Sequence, residues 1–334
     1  MDTSILASIQ PILSVVTHPN ADSLDIAQIK GYKAVVPRGK WRAGDLCVFI
    51  EPDSVLPDAP WATFYKARSN RVKAIKLRGV FSFGIVEDPV NVGYTGPLTP
   101  GLDITAVLGI VKYEAPAPQD LSASGPYGFG IPKTDEERWQ SVDDLPYGQS
   151  VDVALKIDGQ SFSAFCAISH VSPGVLDVSR GVGGRSFLYK ETSDNHYIRN
   201  ERRYGVLAKL ERFCRDNEGV SLCVRGEQYG QGIQTKAHNP HSKLPVGLAL
   251  FSTWLIDERR YATKGHPLYI HRLAPQLGLP TVPMIQQDVI LTPELVKRYS
   301  EELETIDGQP FEGVVINHAG GSFKVINLHY DARK

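Results

Sequence analysis

The chain has 334 residues, 42% of them hydrophobic, and a formal net charge of -1. That length accommodates two domains, and that balance excludes a globally basic nucleic-acid binder, leaving any such surface to a local patch. No apolar run approaches a membrane span, "MDTSILASIQ" lacks the regions of a secretory signal, and the four cysteines are scattered without a CxxC pair, so a cytoplasmic, monomeric chain with buried thiols is expected.

Residues 1–115 read as short strands broken by turns. "YKAVVP" and "LCVFIEP" are strand-like and "RGKWRAGD" between them is turn-rich, while "VKAIKLRGVFSFGIV" reads as a further strand pair. Many short strands without a convincing amphipathic helix predict a small barrel or sandwich. Residues 116–130 lie in "YEAPAPQDLSASGPYGFGIP", which has linker composition.

Residues 131–334 mix elements. "KTDEERWQSVDDL" opens on a helix or ordered turn, and "VDVALKI" and "SFSAFCAI" are predicted antiparallel neighbours. "ERRYGVLAKLERFCRDNEG" carries Leu207, Leu210 and Cys214 at helical spacing and stops at Gly219. "LALFSTWLID" is a strand. "TPELVKRYSEELET" has Thr292 as N-cap and Pro293 at the first helical position. "FEGVVIN", "HAGG" and "SFKVIN" read as strand, turn, strand. Strands and helices do not alternate regularly, so the expected class is α+β, with antiparallel sheets flanked by helices.

One stretch asks for chemistry. In "VDVALKIDGQSFSAF", strand alternation points Val153, Leu155 and Ile157 inward and leaves Lys156 and Asp158 together on the opposite face. A surface strand would do this, and so would a pocket built around a nucleophilic lysine. Such a lysine must shed a proton, aided by desolvation or a nearby cation. It must meet an electrophile whose growing charge is neutralised by cations or a metal. If the electrophile is the α-phosphate of a nucleotide, the site also needs carboxylates for hydrated Mg²⁺, a second lysine and an aromatic face. Glu227 in "VRGEQYG", Glu312 in "FEGVV", Lys324 in "SFKVIN", Phe251 and Trp254 in "LALFSTWLID", and Arg180 in "VSRGVGG" are the candidates.

These pieces, in this order, resemble the motifs of covalent nucleotidyltransferases, the polynucleotide ligases and mRNA capping enzymes. KIDG is similar to motif I, "SRG" to motif Ia, "RGEQYG" to III, "LFSTWLID" to IIIa, "FEGVV" to IV and "FKVIN" to V. The upstream "PKTDEERWQ", the strand-rich N-terminal half and the short tail after motif V narrow the resemblance to ATP-dependent RNA ligases of the Deinococcus and Naegleria type. That resemblance implies an N-terminal OB domain and a C-terminal adenylyltransferase domain that seals RNA 3′-OH to 5′-phosphate ends at nicks in duplexes. It implies Lys156 as nucleophile on ATP, with Gly159 beside it. It implies Asp158 as a group that positions the lysine or holds a metal-bound water, and Glu227 and Glu312 as ligands to the ribose hydroxyl or to the waters of Mg²⁺ or Mn²⁺. Lys324 takes the phosphate, Arg180 the ribose or RNA phosphate (Arg185 competing), and Phe251 the adenine (Trp254 competing).

Two departures stand out. Only "LHYDARK" follows motif V, so the pyrophosphate falls to other groups, with Lys133 and Arg138 expected. Where many ligases carry a second lysine two residues after the first of motif V, this chain has Ile326. In the N-terminal half, "KARSNRVKAIKLRG" carries six cations, with no acidic residue between Asp58 and Glu87. Arg71, Lys73, Lys76 and Arg78 are therefore expected to contact RNA, as is Arg185. "RNERRY" is a second basic candidate, and the histidines have no metal-ligand spacing. The rival readings are a DNA ligase, a capping-type enzyme using GTP, and a non-catalytic RNA-binding adaptor.

Overall fold

The computed structural model describes residues 5–113, 123–133, 136–172, 175–217 and 220–331, in two compact units, Met1–Pro116 and Ala117–Lys334. Gly219 and residues 134 and 135 of "KTDEERWQSVDDL" lie outside the described residues.

The first unit is built from short antiparallel sheets. Ala7–Pro11 pairs with Leu46–Ile50, which pairs with Ile85–Glu87. Ser14–Thr17, Leu24–Ile29 and Tyr32–Pro37 form a meander. The alternation in "LDIAQI" and "YKAVVP" is the cause, since every second residue turns inward. Ile9, Val48, Ile50 and Ile104 close the core. The Ile75–Leu77 and Val80–Ser82 hairpin turns at Arg78, with φ 46°, and Gly79.

The second unit has two antiparallel sheets. The larger runs, in spatial order, through Ala123–Pro126, Phe187–Tyr189, Val175–Gly183, Gln160–Ser172, Leu222–Tyr229, Gly247–Leu255 and Arg260–Tyr261. Residues 123–126, expected as linker, are thus an edge strand, because the segment pairs with Phe187–Tyr189. The smaller sheet runs Met284–Ile290, Ser150–Lys156, Gly313–His318, Gly321–Ile326.

The helical segment forms two helices, His196–Tyr204 and Val206–Asp216, broken at Gly205 in the left-handed region (φ 62°). The second packs Leu207, Leu210 and Cys214 onto one face of the larger sheet together with Ile270–Leu277. Thr292 caps its helix, its hydroxyl accepting from Leu295 N–H at 3.2 Å. All four cysteines are buried and free.

Ser150–Lys156 is central in its sheet and buried on both faces. Val151 and Val153 enter one cluster with Val314, Ile316, Phe323 and Val325. Ala154 enters another with Ile157, Ala249 and Val282, and Phe251 packs against that cluster. This second cluster joins the two sheets.

Candidate active site

Lys156 is the last residue of its strand, directly across from Gly313. Its ammonium donates to Glu312 Oε2 at 2.6 Å. The Gly313–His318 and Gly321–Ile326 hairpin places Val315 beside Ala154 and Lys324 beside Val315. Phe323 and Val325 turn into the core, so Lys324 lies on the face that carries Lys156. Gly313 is required here, because a Cβ would come within 2.3 Å of the Val325 carbonyl oxygen.

Glu227 arrives from the other sheet. Its strand pairs Ser161 with Glu227 and Glu227 with Ala249. Gly159 N–H donates to its carboxylate, and Lys156 lies close enough to act on it electrostatically.

Asp158 does not share a strand face with Lys156, as simple alternation had suggested. The strand ends at Lys156, and Ile157 packs with Ala154, away from the Val153 cluster. The Asp158 carboxylate, almost fully buried, is held at Oδ2 by Lys236 Nζ at 2.9 Å and by the Tyr330 hydroxyl at 2.9 Å. Asn239 Nδ2 donates to its backbone carbonyl at 2.8 Å.

The carboxylates set the charge state of the lysine. Burial alone would lower the Lys156 pKa, but Glu312, Glu227 and Asp158 outweigh it and hold the ammonium above the ordinary lysine range. Lys156 is therefore held protonated by the carboxylates that were expected around it. Glu227 is pushed up to about 8 by burial and by repulsion from Glu312 and Asp158, against the pull of Lys156 and the Gly159 N–H. Among the described residues no group of three or more His, Cys, Asp or Glu side chains is arranged to hold a bare metal ion.

A cleft of about 350 Å³ is lined by Phe251, Ser252 and Tyr261 from the larger sheet and Asn317 and Ser322 from the smaller, with Glu136 and Glu137 beside them.

A model of the RNA ligase family matches residues 149–326, just over half of the sequence. The chain belongs to the RNA ligase family. A model of an OB-fold domain matches residues 6–90 of this RNA ligase. Solved structures with the same fold include a Naegleria gruberi RNA ligase variant with ATP and Mn (24% identity, TM-score 0.78, 98% of each chain covered). Another variant of that ligase, with AMP and Mn, gives 24% identity and TM-score 0.80 over 99% of each chain. The same ligase with pyrophosphate gives 25% identity and TM-score 0.77 over 98% of each chain. No curated protein sequence matches the chain.

The other predicted residues of the ligase differ in where they stand. Phe251 borders the cleft, but Trp254 does not. It is core, packed with Ile131, Phe165 and Cys223 and edge-on to Tyr261 at 4.9 Å. Arg180 is also displaced: its guanidinium donates to Glu211 on the Val206–Asp216 helix at 2.7 Å. It shares strand parity with Val182, which is buried on the helix side, so it projects away from Lys156. Arg185 stands exposed in the turn before Phe187–Tyr189.

Lys133 is exposed, one residue after Pro132, whose carbonyl accepts from the buried Arg225. Arg138 lies alongside Lys324 in a parallel bridge, and Glu137 O accepts from Lys324 N–H at 2.7 Å. In the OB domain Lys73 is exposed, Arg78 sits in the hairpin turn and Lys76 lies 5.3 Å over the Phe81 ring. Arg71 is taken up by Asp53 and by the Tyr113 ring, 4.1 Å away.

The sequence reading missed Lys236, Asn239 and Tyr330. Lys236 and Asn239 lie in an irregular loop whose histidines were set aside, and Tyr330 lies in the short Leu328–Asp331 helix of the tail. Asn327, fully buried, was a usable signal: it caps that helix through His329 N–H and ties itself to the Glu312 carbonyl.

Proposed function

We propose that this RNA ligase is ATP-dependent and works through a covalent lysyl-AMP on Lys156, joining RNA 3′-OH and 5′-phosphate ends at nicks in duplexes as a monomer. The single observation that carries this reading is the Lys156 ammonium 2.6 Å from Glu312, with Glu227 brought to the same group from a second sheet. The Naegleria structures with ATP, AMP, pyrophosphate and Mn support the choice of nucleotide and of a divalent ion.

Glu312 Oε2 accepts a hydrogen bond from Nζ and is placed to take the proton that the amine must lose. The amine then attacks the α-phosphorus. The P–N bond forms as the bond to pyrophosphate breaks. Lys324 neutralises phosphate charge from the same sheet face, and the Phe251 ring stacks on the base. Glu227 and Glu312 offer oxygens to the waters of a hydrated Mg²⁺ or Mn²⁺, which suits an ion that keeps its hydration shell. Asp158, already held by Lys236 and Tyr330, serves as a fixed anchor in this scheme. When bound, the divalent ion would offset the carboxylate field around Lys156 and the charge of the triphosphate. AMP then passes to the RNA 5′-phosphate, and the 3′-OH displaces it; positioning and charge neutralisation carry both steps. Lys73, Lys76, Arg78 and Arg185 are the proposed RNA contacts.

Intact mass after incubation with ATP and magnesium tests the chemistry. A gain of one AMP, reversed by pyrophosphate and absent in Lys156→Ala, is expected. A gain only with GTP would favour a capping-type enzyme, and no gain an adaptor. A panel of nicked RNA and DNA duplexes then tests the substrate.

A further inference from the structure

The face of the smaller sheet that carries Lys156 and Lys324 has an apolar position beside the nucleophile. Lys156, Gly313 and Ile326 form one cross-strand row. Ile326 is apolar and only 7% exposed, so the position opposite the nucleophile's own row carries no charge. Lys324 lies two residues earlier on the same strand, beside Val315.

Lys236 enters from the other sheet. It sits in the loop between Leu222–Tyr229 and Gly247–Leu255. Its ammonium contacts both Asp158 oxygens, at 2.9 and 3.4 Å. The Lys236 side chain is 35% exposed and that of Asp158 8%. The carboxylate is thus buried and the ammonium sits at the opening. Asp158 does not depend on Lys236 for its place, because the Tyr330 hydroxyl holds the same carboxylate and Asn239 holds the backbone. A lysine has a flexible four-carbon stem and three donors. It can keep one contact to Asp158 and turn another toward a phosphate oxygen.

We propose that Lys236 is a catalytic residue of the adenylylation step, supplying the second phosphate-facing cation in place of a motif V lysine at position 326. In this step the Lys156 nitrogen bonds to the α-phosphorus, the P–O bond to pyrophosphate breaks, and the Lys156 proton leaves. Lys236 stays protonated throughout and contacts a non-bridging α-phosphate oxygen. The proposal rests on the reading of Lys156 as the AMP acceptor.

The test is single-turnover formation of protein-AMP, followed by intact mass at saturating ATP, in wild type, Lys236→Ala, Lys236→Gln, Lys236→Arg and Tyr330→Phe. Thermal melting reports which variants are folded, and Lys236→Gln keeps a hydrogen-bond donor to Asp158 if the alanine variant is unstable. Loss of a transition-state cation should slow the alanine and glutamine variants about a hundredfold, with arginine recovering most of the rate and Tyr330→Phe, which perturbs only the Asp158 anchor, losing clearly less than either. Pyrophosphorolysis of preformed protein-AMP should slow by the same factor, because it crosses the same transition state. A wild-type rate in folded Lys236→Gln would overturn the proposal. So would a loss matched by Tyr330→Phe and not recovered by arginine, which would mean that Lys236 acts only through Asp158. A wild-type chain that takes up no AMP would instead sink the lysyl-AMP reading itself.

Discussion

Gly159 and Glu227 occupy one another's space. A Cβ on Gly159 would come within 2.8 Å of Glu227 Cγ and 2.3 Å of the Gln228 carbonyl oxygen. The glycine of KIDG is therefore dictated by a residue 68 positions away that its own N–H orients. Gly159→Ala should push Glu227 or the whole strand outward. The expected cost is about 1–3 kcal/mol of stability, and at least a hundredfold in AMP uptake, since an ångström of misplacement is enough for that. Melting and intact-mass kinetics on one preparation check both.

Glu227 predicts a pH signature of stability. Its pKa is near 4.5 when unfolded and about 8 when folded. Between those values the folded chain binds more protons than the unfolded one, so this group's contribution to stability falls as pH rises. Glu227→Gln keeps the hydrogen-bond acceptor and removes the titration. Its melting temperature should exceed that of wild type at pH 8, with a clearly smaller difference at pH 5.

Arg180 and Arg185 should separate cleanly. Arg180 is paired with Glu211 on the helix side, and a partly exposed pair of this kind contributes ~0–1 kcal/mol. Arg180→Ala should leave AMP uptake within twofold of wild type. Arg185→Ala should weaken binding of nicked RNA, more so at low salt, as gel-shift titration would report.

Phe251 and Trp254 should also part. Phe251→Ala should raise the KM for ATP about tenfold, in keeping with ~1–3 kcal/mol for base stacking on an aromatic ring, with little loss of melting temperature. Trp254→Ala empties a core position and should cost about 3–5 kcal/mol.

Arg225 is 1% exposed, donates to the Pro132 carbonyl, and leaves Nε and Nη1 without hydrogen-bond partners among the described residues. A buried cation so poorly satisfied adds little net stability. Arg225→Met should melt near wild type, yet free the Pro132 segment. Protease nicking near Lys133 should then increase.

The parts of the site legible in sequence were those fixed by local pattern. The glycine after Glu312 and the hairpin alternation of "GVVINHAGGSFKVI" place Lys324 without any knowledge of the fold. Arg180 was equally legible: Val178 and Val182 share its parity, and apolar neighbours of equal parity mark the buried helix side. Phe251 and Trp254 were not separable, because the register shifts between Arg225–Ser252 and Gly226–Leu250. That bulge leaves Phe251 unpaired and breaks the alternation that would have told the two apart. Lys236 and Tyr330 were beyond reach. They meet Asp158 across 78 and 172 residues, from a loop and a one-turn helix that carry no periodic signal.

The carboxylates around Lys156 come from two different sheets, and the hydroxyl that fixes Asp158 from the final helix. Neither sheet alone holds the full set. Self-labelling with AMP should therefore switch on late in refolding, after secondary structure has formed and only once both sheets have docked. A single mass measurement could then serve as a clock for completion of the native state.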